Sequence, residues 1–307
     1  MTGPLGHEPV MVRQVLDLLD LPGRRVVVDC TIGLGGHAQA MLEAAGPRAT
    51  LIGLDVDEGN LEQARRRLAD LGQRVRLFQA NFAEVRDVLR QARVGPAEAL
   101  LADLGVCSAQ LDDPRRGLSF QTDGPLDMRF DGRAKTTAAD LVNRLDEAAL
   151  ADLIYEYGQE RYSRRIARAI VAARRGGRIR RTLELAEIVS RALPPAARRT
   201  RRGVHPATRT FQALRIAVNQ EMQNLQALLE QLPEVLAAKG TAAVISFHSL
   251  EDGRVKRACA GLAAAGKARL LTRKPLTAGP DERNRNPRSR SAKLRGIEIS
   301  LGSLDGA

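Results

Sequence analysis

The chain has 307 residues, 44% of them hydrophobic, and a formal net charge of +12, so it has room for a full α/β domain plus a smaller one and is too apolar for disorder to be the default. No apolar run approaches the ~20 residues of a membrane span, and no basic-then-apolar leader pattern opens the chain. A cytoplasmic protein with no membrane partner is therefore expected. Three widely spaced cysteines, Cys30, Cys107 and Cys259, lack CxxC spacing, which argues against a disulfide frame or a zinc site; no metal is expected, and Cys30 and Cys107 read as small buried thiols.

His7-Glu8-Pro9-Val10-Met11 leads into an amphipathic helix with Val12, Val15, Leu16 and Leu19 at helical spacing. His7 reads as a surface residue, and Pro22-Gly23 stops the helix. A strand from Arg25 to Cys30 then turns through Thr31-Ile32-Gly33-Leu34-Gly35-Gly36-His37 into a helix, Ala38 to Ala45. Glycine permits positive φ and close approach of a ligand, and a helix start offers unpaired N–H groups. The alternative is a tight strand-to-helix turn with no ligand. A second apolar run ends at Asp55, twenty residues past Gly35, where a carboxylate suits a ribose diol. The loop lacks the third glycine of a dinucleotide fingerprint, since position 38 is alanine, and an acid, Asp29, precedes the first glycine by four residues. That pattern favours S-adenosylmethionine, which has no pyrophosphate to cradle but has a ribose and an ammonium group.

A helix from about Asp57 to Leu71 leads to a third strand, Val75–Gln79, followed by Ala80-Asn81-Phe82. Phe82 either covers an adenine face or plugs the core. The fourth strand, Ala99–Asp103, is a continuous apolar run ending in an acid, followed by Leu104-Gly105-Val106-Cys107-Ser108-Ala109-Gln110-Leu111-Asp112. Asp103 either points into the crevice at the carboxyl ends of a parallel sheet or caps the next helix. With Asp29 and Asp55 ending sister strands, the crevice reading is favoured.

From Asp113 the strand–helix alternation breaks. Turn-rich segments are followed by helical patterns at Ala138–Asn143, Glu147–Tyr157, Arg161–Arg174 and Leu183–Arg191, with no strand-like run between Leu111 and Phe211. Between Arg161 and Arg215 lie sixteen arginines, no lysine and two acids, a net +14, which leaves the rest of the chain at −2. A basic segment on a near-neutral body is the footprint of a polyanion binder; arginines on solvated helix faces are the alternative. A long helix begins at Phe211, with Leu214, Val218, Met222, Leu225, Leu229 and Leu232 on one stripe that packs back on the sheet. Gly240 ends that connection, Thr241–Phe247 is a fifth strand, and Arg269–Thr272 and Leu294–Leu301 are two more. Between these last two, Asn284 to Lys293 is a basic loop with no apolar anchor, either a solvated connection or a phosphate-contacting loop. The whole is a doubly wound α/β sheet of about seven strands with a helical insertion.

Several separated motifs now coincide: His7-Glu8-Pro9-Val10, the Gly33–His37 loop, Asp103-Leu104-Gly105-Val106 with Gln110-Leu111-Asp112, and Arg116-Gly117-Leu118-Ser119-Phe120. Gly124-Pro125-Leu126-Asp127-Met128-Arg129, His205 to Arg215, Phe247 to Asp252 and Asn286 to Ser291 complete the set. In this order they resemble the MraW/RsmH methyltransferases, which place a methyl group on N4 of a cytidine in bacterial small-subunit ribosomal RNA. The resemblance implies a Rossmann-like, seven-stranded S-adenosylmethionine methyltransferase domain formed by residues 1–111 and 211–307. Residues 112–210 are then the inserted helical domain, for RNA recognition. It places cofactor contacts on Gly33, Gly35, Gly36, His37, Asp55, Phe82, Asp103 and Gln110, with Asp103 as the candidate catalytic group. Where the family usually reads Ser-Ser-Pro, this chain has Cys107-Ser108-Ala109.

The expected partner is small-subunit ribosomal RNA or the 30S subunit, in an oligomeric state the sequence leaves open. A nicotinamide-dependent oxidoreductase would use the same sheet but is opposed by the broken glycine pattern. A non-catalytic ribosome-assembly factor would need only the basic segment and would leave three strand-end acids unexplained. A methyltransferase acting on another anionic substrate is separated from the favoured reading by the resemblance alone.

Overall fold

The computed structural model describes residues 9–198 and 205–300; His7 and Glu8 lie outside them. The chain divides into two compact units, residues 1–105 with 222–307, and residues 106–221.

In chain order, the first unit starts with α1 (Val12–Leu19), β1 (Val26–Asp29), α2 (Gly36–Ala45), β2 (Thr50–Asp55), α3 (Glu58–Arg67), β3 (Val75–Gln79), α4 (Val85–Ala92) and β4 (Ala97–Asp103). The second unit follows with α5 (Ser108–Asp112), α6 (Ala138–Arg144), α7 (Glu147–Gly158), α8 (Ser163–Ala173), α9 (Thr182–Ala192), α10 (Pro195–Arg198) and α11 (Thr208–Val218). The first unit resumes with α12 (Glu221–Val235), β5 (Leu236–Ser246), α13 (Ser249–Ala264), β6 (Ala268–Leu270), α14 (Pro280–Arg285) and β7 (Lys293–Ile299).

Among the described residues the strands form one sheet of seven in the order β3-β2-β1-β4-β5-β7-β6, parallel except for β7, which runs antiparallel to both its neighbours. This is a doubly wound, Rossmann-like sheet. Successive residues of a strand face opposite sides. Val27, Leu51, Leu101 and Ile245 join Val15 and Leu19 of α1, Met41 and Leu42 of α2 and Leu61 of α3 in one apolar cluster. Their alternates Val28, Ile52, Leu100 and Val244 are equally buried toward the opposite layer. A parallel strand covered on both faces needs such a continuous apolar run.

The second unit has its own core, built from Leu118, Leu126, Met128, Val142, Leu150, Ile154, Ile166, Leu185, Phe211 and Leu214, among others. Its two glycine motifs hold each other backbone to backbone. A Cβ on Gly117 would meet the Pro125 carbonyl oxygen at 2.0 Å, and one on Gly124 would meet that of Pro114 at 1.9 Å. Phe120 stacks between His205 at 4.6 Å and Phe211 at 4.7 Å between ring centroids.

Three expectations require correction. The single helix expected from Phe211 is two, because Asn219 leaves the helix to accept the Phe130 N–H and to donate to the Met128 carbonyl, and Gln220 takes φ +50°. Phe211, Leu214 and Val218 therefore belong to the second unit's core, within residues 106–221. Gly240 lies inside β5 at a register shift opposite Ala97 and Ala99, where a Cβ would stand 2.9 Å from the Ala97 carbonyl oxygen. Cys30 and Cys259 are buried, whereas Cys107 is half-exposed. No described helix is long and apolar enough to cross a membrane.

Candidate active site at the carboxyl ends of the strands

β2, β1 and β4 lie side by side and parallel, with Asp29 in register with Gly53 and with Leu101. Asp29, Asp55 and Asp103 therefore finish at one end of the sheet. The connection after β1 is tied into that end at several points: Cys30 N–H to the Leu101 carbonyl, Ile32 N–H to the Leu54 carbonyl, and Thr31 N–H to Asp29 Oδ1 at 3.1 Å. Thr31 Oγ1 accepts the Asp103 N–H at 2.7 Å, so a residue the sequence did not single out joins the loop to β4. Gly33 and Gly35 take φ +50° and +79°, and a Cβ on Gly35 would press on Leu68 at 3.3 Å. The glycines thus let the turn lie close over α3 and start α2, whose first amides have no intrahelical acceptor.

The Asp55 carboxylate accepts three bonds, from Gly33 N–H at 3.0 Å, Asp57 N–H at 2.9 Å and Asn60 Nδ2 at 3.1 Å. A carboxylate offers about four acceptor positions, so room for one hydroxyl remains. Asn60 was also not foreseen; its signal is an amide on the first turn of α3, five residues beyond the acid. Phe82 is half-buried and opens a short 3-10 turn capped by Asn81, just past β3 on the far side of Asp55.

Asp29 and Asp103 each keep one carboxylate oxygen, Oδ2 and Oδ1 respectively, buried without a hydrogen-bond partner. Burial pushes Asp29 up to about 7, with the Asp55 charge adding to it, and pushes Asp55 up to about 6. Burial also raises Asp103 well above the carboxylate range, helped by the charges of Asp29 and Glu251. A buried unpaired acceptor is costly unless a donor or cation meets it. Such a row of acids is built for a cationic, hydroxyl-bearing ligand, and S-adenosylmethionine, with its sulfonium, ammonium and ribose, fits that donor set.

The His37 side chain is 7% exposed and turned inward, with Nε2 donating to the Val10 carbonyl at 2.8 Å and Nδ1 standing 3.6 Å from Asp103 Oδ2. Glu251 explains the Phe247-His248-Ser249-Leu250-Glu251-Asp252 motif: its carboxylate accepts the Phe247 N–H, and its own N–H donates to His248 Nδ1, so the motif caps α13. Gly33, Gly35, Gly36, His37, Asp55, Phe82 and Asp103 all belong to the sheet unit. Gln110 belongs to the helical unit, on α5, where its Oε1 accepts the Cys107 N–H at 3.2 Å.

The model of the MraW methylase family matches residues 4–300. The chain belongs to that family. As a methylase of this family it uses S-adenosylmethionine as its cofactor. Among relatives, it is 51% identical over 289 residues to the ribosomal RNA small subunit methyltransferase H of Sorangium cellulosum, covering 94% of this chain and 89% of that protein. It is 48% identical over 299 residues to the protein of the same name in Acidobacterium capsulatum, covering 95% and 98%. In Geobacter sulfurreducens the figures for the same-named protein are 47% over 310 residues, 95% and 98%.

The arginine-rich helical unit of this family member is less free in charge than its sequence suggests. Arg174 donates to the Val142 and Leu145 carbonyls at the end of α6, and Arg215 forms a two-point pair with Glu221 at 2.8 and 2.9 Å. Those two are internal fasteners. Arg164, Arg168 and Arg191 are more than 70% exposed although each faces an acid; they remain available to an outside anion.

Proposed function

We propose that this chain transfers a methyl group from S-adenosylmethionine to the exocyclic N4 of a cytidine in the decoding region of small-subunit ribosomal RNA. The observation that carries the reading is Asp103, at the end of β4, with one oxygen buried and unpaired beside two further strand-end acids. The names of the relatives support the substrate class, and the exposed arginines of the helical unit support a polyanionic partner, whether free RNA or a 30S subunit.

The ligand roles follow the order of the strands. Phe82 would lie against the adenine, Asp55 would take a ribose hydroxyl, the amides of Leu34 and Gly36 would receive the carboxylate, and Asp29 would meet the ammonium. The cofactor supplies an electrophilic methyl on a positive sulfur. The N4 lone pair of cytosine is delocalised into its ring, so the enzyme must hold the amino group out of conjugation and in line with that methyl. Asp103 Oδ1 and the backbone carbonyls of Leu104–Val106 would be the acceptors that take the amino hydrogens. Asp103 or water would take the surplus proton that the methylated nitrogen carries. No thiol nucleophile is needed, and the base must leave its stack to reach the crevice.

The test takes small subunits from cells lacking this protein, the protein, and S-adenosylmethionine with a labelled methyl, and identifies the labelled nucleoside by mass spectrometry. Label in N4-methylcytidine is the expected result, and Asp103→Asn should lower its rate by about 100-fold or more. Label in a different nucleoside would overturn the target. Near-normal turnover by the variant would remove Asp103 from the chemistry.

A further inference from the structure

The connection between β6 and β7 holds seven basic and two acidic residues from Arg273 to Lys293. Lys293 pairs with Ser246, the last residue of β5, and β7 runs antiparallel to β5. The connection therefore re-enters the sheet at the end where Asp29, Asp55 and Asp103 finish, and β6, which runs the same way as β5, points toward that end.

It is not the unanchored loop its composition suggests. Leu276 and Leu294 exchange two backbone hydrogen bonds of 2.9 Å. Ala278, Ser289 and Ala292 are buried, two of them in the main apolar cluster. Glu282 on α14 accepts the Met11 N–H at 2.6 Å, fastening the segment to the entry of α1. Asn286 caps the turn that follows, through the Arg288 N–H at 3.2 Å. On this frame Arg273, Lys274, Arg285 and Arg290 are exposed. Glu282 is spent on Met11 and Asp252 is held by Arg295 at 2.7 Å and Lys293 at 3.0 Å, while Asp281 on α14 is exposed and Arg285 keeps a contact within the protein beside its exposed surface. A solvated connection gains nothing from being fastened at so many points. A phosphate-binding surface does, because cations already mounted lose little freedom when an anion arrives, and the guanidinium fork matches phosphate oxygens.

We infer that Arg273, Lys274, Arg285 and Arg290 form a second RNA-phosphate surface on the sheet unit, holding the strand that flanks the target nucleotide. The partner class rests on the proposed function; the surface itself rests on the placement and fastening of this segment.

The test measures filter binding of small-subunit ribosomal RNA from cells lacking the protein, as a function of salt, and calorimetric affinity for S-adenosylmethionine. Arg285→Gln with Arg290→Gln should weaken RNA binding about 10-fold at low salt and reduce the log–log salt slope by about 1 to 2, with cofactor affinity unchanged. Arg285→Lys with Arg290→Lys should keep the slope. An RNA affinity and slope equal to the parent's would overturn the inference, as would a loss seen on whole subunits and not on naked RNA, which would make the partner a protein. A parent that binds RNA through this surface yet methylates no cytidine would leave the inference standing and remove the proposed function instead.

Discussion

His37 Nδ1 stands 3.6 Å from Asp103 Oδ2 while its Nε2 is held at 2.8 Å by the Val10 carbonyl. A carbonyl only accepts, so Nε2 carries a proton, and in the neutral ring Nδ1 presents its lone pair to Asp103. The imidazole thus stands beside Oδ2 of the carboxyl group, while Oδ1 is the oxygen buried without a hydrogen-bond partner. His37→Gln should lower kcat by about 10- to 100-fold, with S-adenosylmethionine affinity by calorimetry within ~3-fold of the parent. If the variant loses cofactor affinity while kcat is kept, His37 serves the cofactor and not Asp103.

The raised acids make cofactor binding depend on pH. Burial pushes Asp29 up to about 7 and Asp55 up to about 6, and it raises Asp103 well above the carboxylate range, helped by the charges of Asp29 and Glu251. A cationic ligand prefers them ionised, so binding below about pH 7 must expel protons. Affinity should improve up to ~10-fold per pH unit for each acid engaged and level off above the highest of these pKa values. The unliganded protein should behave oppositely. Its acids hold protons more tightly folded than unfolded, so their effect on stability is most favourable below the ordinary pKa near 4 and declines as pH rises toward about 7. Calorimetry in two buffers of different ionisation enthalpy reads the protons released; a pH-independent affinity would remove the ionised row.

Gly35→Ala should cost about 1 to 3 kcal/mol in urea unfolding. The residue sits at φ +79°, and the new methyl would press on Leu68 at 3.3 Å and Ala64 at 3.5 Å. Cofactor affinity should fall with it, because the amides at the start of α2 would be displaced.

The arginines of the helical unit should separate into two kinds. Arg215→Gln removes the two-point pair from the buried Glu221 and should destabilise the protein by about 3 kcal/mol. Arg168→Gln, at an exposed pair, should change stability by under ~0.5 kcal/mol while lowering the salt slope of RNA binding by about 1. Chemical denaturation and filter binding on the same two variants distinguish them.

The strand-end acids were legible because a buried parallel strand advertises itself as an unbroken apolar run, and the residue that ends it is fixed by the same run. Thr31 and Asn60 were not, since their importance lies in bonds to Asp103 and Asp55, and neither type is unusual where it stands. The break between α11 and α12 escaped for a similar reason. The apolar stripe runs through Val218 and Met222 without a glycine or proline, and what ends the helix is a tertiary bond from the Phe130 N–H to the Asn219 side chain. Charge counting likewise sees Arg174 and Arg215 as surface, because sequence records a charge and not its acceptor. The fastening of the Arg273–Lys293 segment was hidden in alanines and a serine, which carry no apolar signal of their own.

The pairing of β4 with β5 has a consequence for synthesis. The strands are neighbours in the sheet, yet residues 104–235 intervene in the chain. At about 5–20 residues per second, β4 leaves the ribosome on the order of ten seconds before the strand that covers its flank. During that interval Ala99 to Ala102, wholly apolar, form an open edge suited to pairing with any extended chain. A helical unit that gathers itself promptly shortens the wait in space if not in time, by drawing the two ends of the detour together. Defects in that unit should then surface first as insoluble nascent protein and only afterwards as lost activity.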